Sequence, residues 1–316
     1  MSAIYDAPGL RADWLNGWLG AIGVTVVVPG VRLGWTDEAC PHAVFYYEDG
    51  LTDNDFIKKL SEGIPNKSIL EQSVLNKLPR KVTLDEFRKR ARCERELGSM
   101  YLASSVSDLL SDAEIKKANS DKTKKKADTS KTKKVEVGIE ECNLVHGAFD
   151  PSAPRTTGSV YDRALRCAEK IPDNGYPKWI RESLAGNGER VKTNGLGFDS
   201  RRLASGVQVS KVPTSPHADP VVELLCLAAL AIFPTRGDGS QVFQRGWSNG
   251  VTKKGAFKWV AWHPALDRWG IDAFLDLDHS DVPGNNVNVI ARYEVVPRQP
   301  NGQSDVNRAY CARRVS

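Results

Sequence analysis

Between Lys116 and Lys134 the chain reads KKANSDKTKKKADTSKTKK, a tract whose only apolar side chains are those of alanine. Such a segment buries too little apolar surface to offset the entropy of ordering it. It predicts a disordered basic linker over 116–134, so every core element must come from the residues before or after it. The chain then divides into an N-terminal α+β region over 1–115 and a C-terminal α+β region over 135–316. The repeated K-T-K spelling marks low complexity.

Lys116, Lys117, Lys122, Lys124, Lys125, Lys126, Lys131, Lys133 and Lys134 face only Asp121 and Asp128 in this tract, a local charge of +7. The whole chain carries +5, so the remaining residues carry −2: a nearly neutral body with one concentrated basic segment. Lysine ammonium groups are flexible point charges, suited to phosphate backbones rather than to base edges. Nucleic acid held by this tract would be bound without regard to sequence and with strong salt dependence. A solubilising linker is the other reading of the same residues.

The chain has 316 residues and is 41% hydrophobic, enough for a sizeable core. No charged-then-apolar signal segment opens it. Its longest apolar run, Leu224 to Phe233, is shorter than the ~20 residues a membrane helix needs, so it reads as a core helix and no membrane is expected. Cys40, Cys93, Cys142, Cys167, Cys226 and Cys311 are scattered, without a C-x-x-C pair. That pattern fits reduced thiols in a cytoplasmic protein.

Apolar spacing through Leu10, Trp14, Trp18 and Ile22 predicts an amphipathic helix over 9–22, and β-branched Val24 to Val28 predicts a strand ended by Pro29-Gly30. Val31 to Trp35 and Ala43 to Tyr47 read as two antiparallel strands, and Asp53 to Leu60 as a helix. Thr83 with Glu86 forms a capping box that opens a charged helix, with a second helix from Ser99 to Leu110. After the tract come a strand over Val135 to Val145 and helices over Ser159 to Lys170 and Tyr176 to Leu184. Asp219-Pro220 is an N-cap and N1 pair for a buried helix from Val221 to Phe233. Strands over Gln241 to Trp247, Ala256 to Trp262, Val287 to Val296 and Arg308 to Val315, with a helix over Asp267 to Leu277, complete an α+β fold with mainly antiparallel sheets and packed helices.

Gly246-Trp247-Ser248-Asn249-Gly250 has the spelling of a nucleophile elbow, with Asp272 or Asp276 and then His279 in the chain order a hydrolase requires. The elbow needs a helix straight after the serine. The next residues, VTKKGAFKWVAW, are turn and strand material instead, and Asn249-Gly250 is a hairpin signal. Asp276, Asp278, His279 and Asp281 could hold a divalent ion for phosphodiester cleavage, and His217, Asp219 and Glu223 form a second such group. Asp219, however, already serves as a helix cap. No phosphate-binding loop of the G-x-x-x-x-G-K-[ST] kind occurs, and no cofactor or metal is expected.

Arginine and tryptophan carry more. Arg201 and Arg202 follow a glycine turn, Arg236 sits in a Gly-Asp-Gly loop, Arg245 lies beside Trp247, and Lys253 and Lys254 follow in the next loop. Guanidinium forks suit bidentate contacts to phosphate or guanine, and aromatic rings stack unpaired bases. Internal pairing of Arg201 and Arg202 with Asp199 or Glu223 is the competing reading. Trp259 and Trp262, three apart on a strand, face opposite sides, so at least one belongs to the core.

The order NGLGFDSRRLASG, HADPVVELLCLAALAIFPTRGDG, QVFQRGW and FKWVAWHPALDRW, over Asn194 to Trp269, resembles the carboxy-terminal half of large-subunit-type proteins of type I-U/I-G CRISPR–Cas surveillance complexes. The amino-terminal GLRADWLNGWLGAIG fits the same picture. The resemblance covers about half of the chain, which is short for such a subunit. It implies a non-catalytic subunit of an RNA-guided antiviral effector complex, with guide RNA, target DNA and other effector subunits as partners. In such complexes base pairing reads the target, while protein reads a short flanking motif and the backbone. A metal-dependent nuclease of a phage-defence system and a scaffold without nucleic-acid contact are the alternatives.

Overall fold

The computed structural model describes residues 3–73, 81–83, 85–86, 88–89, 92–93, 142–143, 149, 160–199, 216–233, 235–237, 242–248, 255–277, 287–295 and 312–315. In chain order its elements begin with β1 (Ala3–Arg11), α1 (Leu15–Val27), β2 (Arg32–Trp35), β3 (His42–Tyr47), α2 (Asp53–Gly63) and α3 (Lys67–Gln72). There follow β4 (Lys81–Val82), β5 (Cys142–Asn143), α4 (Val160–Ala168), α5 (Tyr176–Leu184), β6 (Val191–Lys192), β7 (His217–Ala218) and α6 (Pro220–Ala229). The last are β8 (Thr235–Gly237), β9 (Val242–Gln244), β10 (Phe257–His263), α7 (Arg268–Leu275), β11 (Asn288–Val295) and β12 (Arg313–Arg314). The fold is α+β, and every described strand pairing is antiparallel.

Strands β1, β3 and β2 form the first sheet in that order, so the expected pairing of 31–35 with 43–47 is present. The sequence reading missed β1, because Pro8-Gly9 argues against a strand. The register slips between Ala7 and Arg11, so the proline falls where no ladder amide is needed. The strand expected at Val24–Val28 is corrected: Val24 to Val27 form the end of α1. All of α1 is buried, so its packing overrides the β preference of its valines and erases the amphipathic period.

Helix α1 lies along α6, which is buried at every position as well. One element precedes the lysine tract and the other follows it, and together they form the centre of a single core. Helix α6 begins as expected. The Asp219 carboxylate accepts the amide N–H groups of Val221 and Val222 at 3.0 and 3.3 Å, and Pro220 opens the helix. Helices α2, α4 and α5 also stand near their expected places. Of the predicted capping box at Thr83, its hydroxyl accepts the Glu86 N–H at 3.1 Å. The helix expected over 99–110, most of the strand over 135–145 and the lysine tract lie outside the described residues.

Strands β10, β11 and β12 form the second sheet. Three indoles tie the N-terminal elements to β10. Trp18 Nε1 donates to the Val260 carbonyl at 2.8 Å, Trp259 Nε1 to that of Ala12 at 2.7 Å, and Trp262 Nε1 to that of Leu33 at 3.3 Å. Each ring is buried, so each N–H requires such a partner. Trp259 packs on Trp18, whereas Trp262 packs on Trp35 and on Phe274 of α7. Both tryptophans are therefore core.

Burial sorts the cysteines. Cys167 and Cys226 are inside, and burial pushes both thiols up; Glu223 nearby adds to this, and neither carries useful thiolate at neutral pH. Cys40 is exposed. Alkylation of the folded protein by iodoacetamide at neutral pH, followed by peptide mass spectrometry, should mark Cys40 and reach Cys167 and Cys226 only in denaturant. Equal labelling of Cys226 and Cys40 in the folded state would contradict this core.

Candidate nucleic-acid interface

Alternation along β10 and β11 sorts their side chains onto two faces. Phe257, Trp259, Ala291, Tyr293 and Val295 enter the core. Lys258, Val260, Arg292 and Glu294 lie on the other face, with Lys258 opposite Glu294 and Val260 opposite Arg292. Strand β12 places Arg313 beside Glu294, and the Val315 N–H donates to the Arg292 carbonyl at 2.8 Å. The outer face thus carries two cross-strand rows, Lys258–Glu294–Arg313 and Val260–Arg292–Val315. Arg313 Nη2 meets Glu294 Oε2 at 2.8 Å. Arg245 and the end of α7, with Leu275 and Leu277, bound a cavity of about 390 Å³ over this face. The two rows present three cationic side chains, Lys258, Arg292 and Arg313, against the single carboxylate of Glu294.

Arg245 has a different place from the one its sequence suggested. Its side chain is only 7% exposed. Nε and Nη2 grip the two oxygens of Asp276 at 2.9 and 2.7 Å, while Nη1 reaches Asp272 and the Ile232 carbonyl, both at 2.6 Å. The guanidinium is engaged in an internal fork that ties α7 to the chain just after α6. Arg236 stands in β8 rather than in an open loop. Lys116, Lys117, Lys122, Lys124, Lys125, Lys126, Lys131, Lys133, Lys134, Arg201, Arg202, Lys253 and Lys254 lie outside the described residues.

The enzyme-like spellings resolve locally. Ser248 is bonded to Ala256 through both its backbone and its hydroxyl, and Trp247 forms a bridge with Phe257. Ser248 is thus held in a strand-pairing contact with Ala256, and the residues straight after it, 249–254, lie outside the described residues. Asp276 is held by Arg245, while Asp278, His279 and Asp281 lie outside the described residues. Among the described residues no three His, Cys, Asp or Glu side chains gather where they could hold a metal.

The His217, Asp219 and Glu223 group is likewise divided among structural contacts. The His217 carbonyl accepts from Arg190 Nη2 at 2.7 Å, and Asp219 accepts the Ser183 hydroxyl at 2.9 Å. Glu223, fully buried, accepts the Leu196 N–H. Arg163 Nη1 donates to the Leu196 carbonyl at 3.3 Å, and Asp199 takes Arg190 Nη1 at 2.6 Å. The glycine turn that precedes Arg201 and Arg202 is therefore strapped down from three sides.

Lys258, Arg292 and Arg313 were not singled out from the sequence. The period-2 patterns in FKWVAWH and NVIARYEV held the signal, but only strand pairing shows that the outward positions meet. No helix among the described residues is long and apolar enough to cross a membrane. Comparison with protein-family models, with curated proteins and with solved structures finds no match for this chain.

Proposed function

We propose that this protein is a non-catalytic, cytoplasmic subunit of an RNA-guided CRISPR–Cas effector complex, where it helps to bind guide RNA and target DNA beside other effector subunits. The observation that carries the nucleic-acid part is the outer face of the second sheet, where Lys258, Arg292 and Arg313 surround one carboxylate beside an open cavity. Cations fixed on paired strands hold a charged backbone at lower entropic cost than cations on a free chain. The lysine tract supplies the second, sequence-independent contribution. The wording of Asn194 to Trp269 carries the assignment to the CRISPR system.

The test is co-expression of the tagged chain with the products of its neighbouring genes and a repeat array. Under this reading the chain co-purifies with sister subunits and a short guide RNA. Deleting residues 116–134 then weakens DNA retention at low salt and flattens its dependence on salt concentration. A chain that retains no nucleic acid, alone or with those partners, sinks the reading.

A further inference from the structure

Two of the four large apolar side chains that stand exposed among the described residues line the cavity over the outer face of the second sheet. Val315 is 57% exposed and Leu277 43%; the other two are Trp269, 69% exposed on α7, and Ile4 on β1. Leu277 and Val315 line the cavity itself, together with Val260 and Leu275. Trp269 is on the first turn of α7, three and seven residues before Asp272 and Asp276, so it shares the side of that helix gripped by Arg245, which borders the cavity. The guanidinium of Arg268 lies 4.9 Å from the centre of its ring. A surface used only to hold a duplex backbone needs cations and gains nothing from these side chains, because stacked and paired bases offer them no apolar surface. Unpaired bases do.

Resting on the nucleic-acid reading above, we infer that this face takes a single strand. Lys258, Arg292 and Arg313 hold its phosphates, Trp269 stacks one base, and Leu277 with Val315 covers its neighbours. Charge decides between a nucleic acid and an apolar protein segment as occupant. In one row the apolar Val260 and Val315 flank Arg292, and in the other Lys258 and Arg313 flank Glu294, so an apolar group seated here has three cations and one carboxylate beside it. An anionic chain with flat apolar faces satisfies both features at once.

The experiment measures fluorescence anisotropy of a labelled oligothymidine and of a labelled duplex of the same length, titrated with the full chain at low salt. The expected result is tighter binding of the single strand. Trp269→Ala should weaken single-strand binding about ten-fold and leave duplex binding within two-fold or so. Because Trp269 is exposed, that variant retains its fold, which unfolding in urea checks. Lys258→Ala with Arg292→Ala should instead lower the salt slope, by about 1.4 for the single strand and about 1.8 for the duplex. If the wild-type chain binds the single strand but Trp269→Ala and Leu277→Ala bind it equally well, or if the duplex binds as tightly, the inference fails while the nucleic-acid reading stands. Competition by polyglutamate as effective as by unlabelled oligothymidine overturns it in favour of an acidic protein partner. Binding of neither nucleic acid overturns the reading beneath it.

Discussion

Gly23→Ala should destabilise the protein by about 3 kcal/mol or more, a cost at the upper end of those for overpacking, whereas Gly20→Ala on the same helix should be nearly neutral. Both glycines lie in α1 where it crosses α6. A Cβ on Gly23 would be driven into the backbone carbonyl of Leu225, and backbone inside a fully buried helix cannot step aside. At Gly20 the nearest atoms are Leu10 Cδ2 at 3.2 Å and Val222 Cγ1 at 3.4 Å, both the movable ends of side chains. There the small repacking cost is offset by the ~1 kcal/mol gained when alanine replaces glycine in a helix interior. Urea unfolding of the two variants beside the wild type measures the contrast. Equal midpoints for the two would mean that α1 and α6 do not touch in this way. The result also bears on domain organisation, since α1 and α6 come from opposite sides of the lysine tract. A loss of cooperativity in both halves follows only if they share one core.

That shared core shows where the sequence was legible. The hairpin of β2 with β3 could be read because each strand has a polar or turn boundary, and α6 because Asp219-Pro220 marks its start. Helix α1 could not. Burial at every position removes the polar face that fixes a helical period, and its Val24 to Val27 then imitates a strand. Strand β1 was hidden for the opposite reason, since a proline inside an irregular register resembles a strand break. The pairing of Ser248 with Ala256 agrees with the hairpin expected there, whose turn at Asn249-Gly250 lies outside the described residues. The groove was not legible. Its cations come from β10, β11 and β12, and no local pattern says that Lys258 lies opposite Glu294 or that Arg313 follows on the far side. Arg245 misled because exposure is a tertiary property. Its partners Asp272 and Asp276 are one turn of helix apart on α7, a spacing that becomes meaningful only when that helix is placed.

The second large effect belongs to Glu223. Glu223→Ala should cost about 3 kcal/mol, the upper end for leaving a buried amide without its hydrogen-bond partner, and Glu223→Gln about 1–2 kcal/mol, as for a charge-assisted hydrogen bond made neutral. The carboxylate is fully buried and accepts the Leu196 N–H within a turn where Gly195 has φ +53°. A Cβ on Gly195 would lie 2.7 Å from Glu223 Oε2, so the turn approaches as closely as glycine permits. Alanine leaves the buried amide of Leu196 without its acceptor and opens a void beneath the turn, which Arg163 then holds only through the Leu196 carbonyl. Glutamine keeps the volume and one acceptor oxygen. Asp199, gripped by Arg190 at 2.6 Å, holds the far end of the turn, so the damage should be local before it is global. Hydrogen exchange on Glu223→Gln should therefore show faster exchange at residues 194–199 while α1 keeps its protection. Uniform acceleration through the core, or none at the turn, would show that Glu223 does not anchor it. The turn leads directly into Arg201 and Arg202. If those arginines meet nucleic acid, releasing their anchor should weaken that contact while leaving Trp269 and the outer groove intact, so the same variant separates the two surfaces in a binding titration.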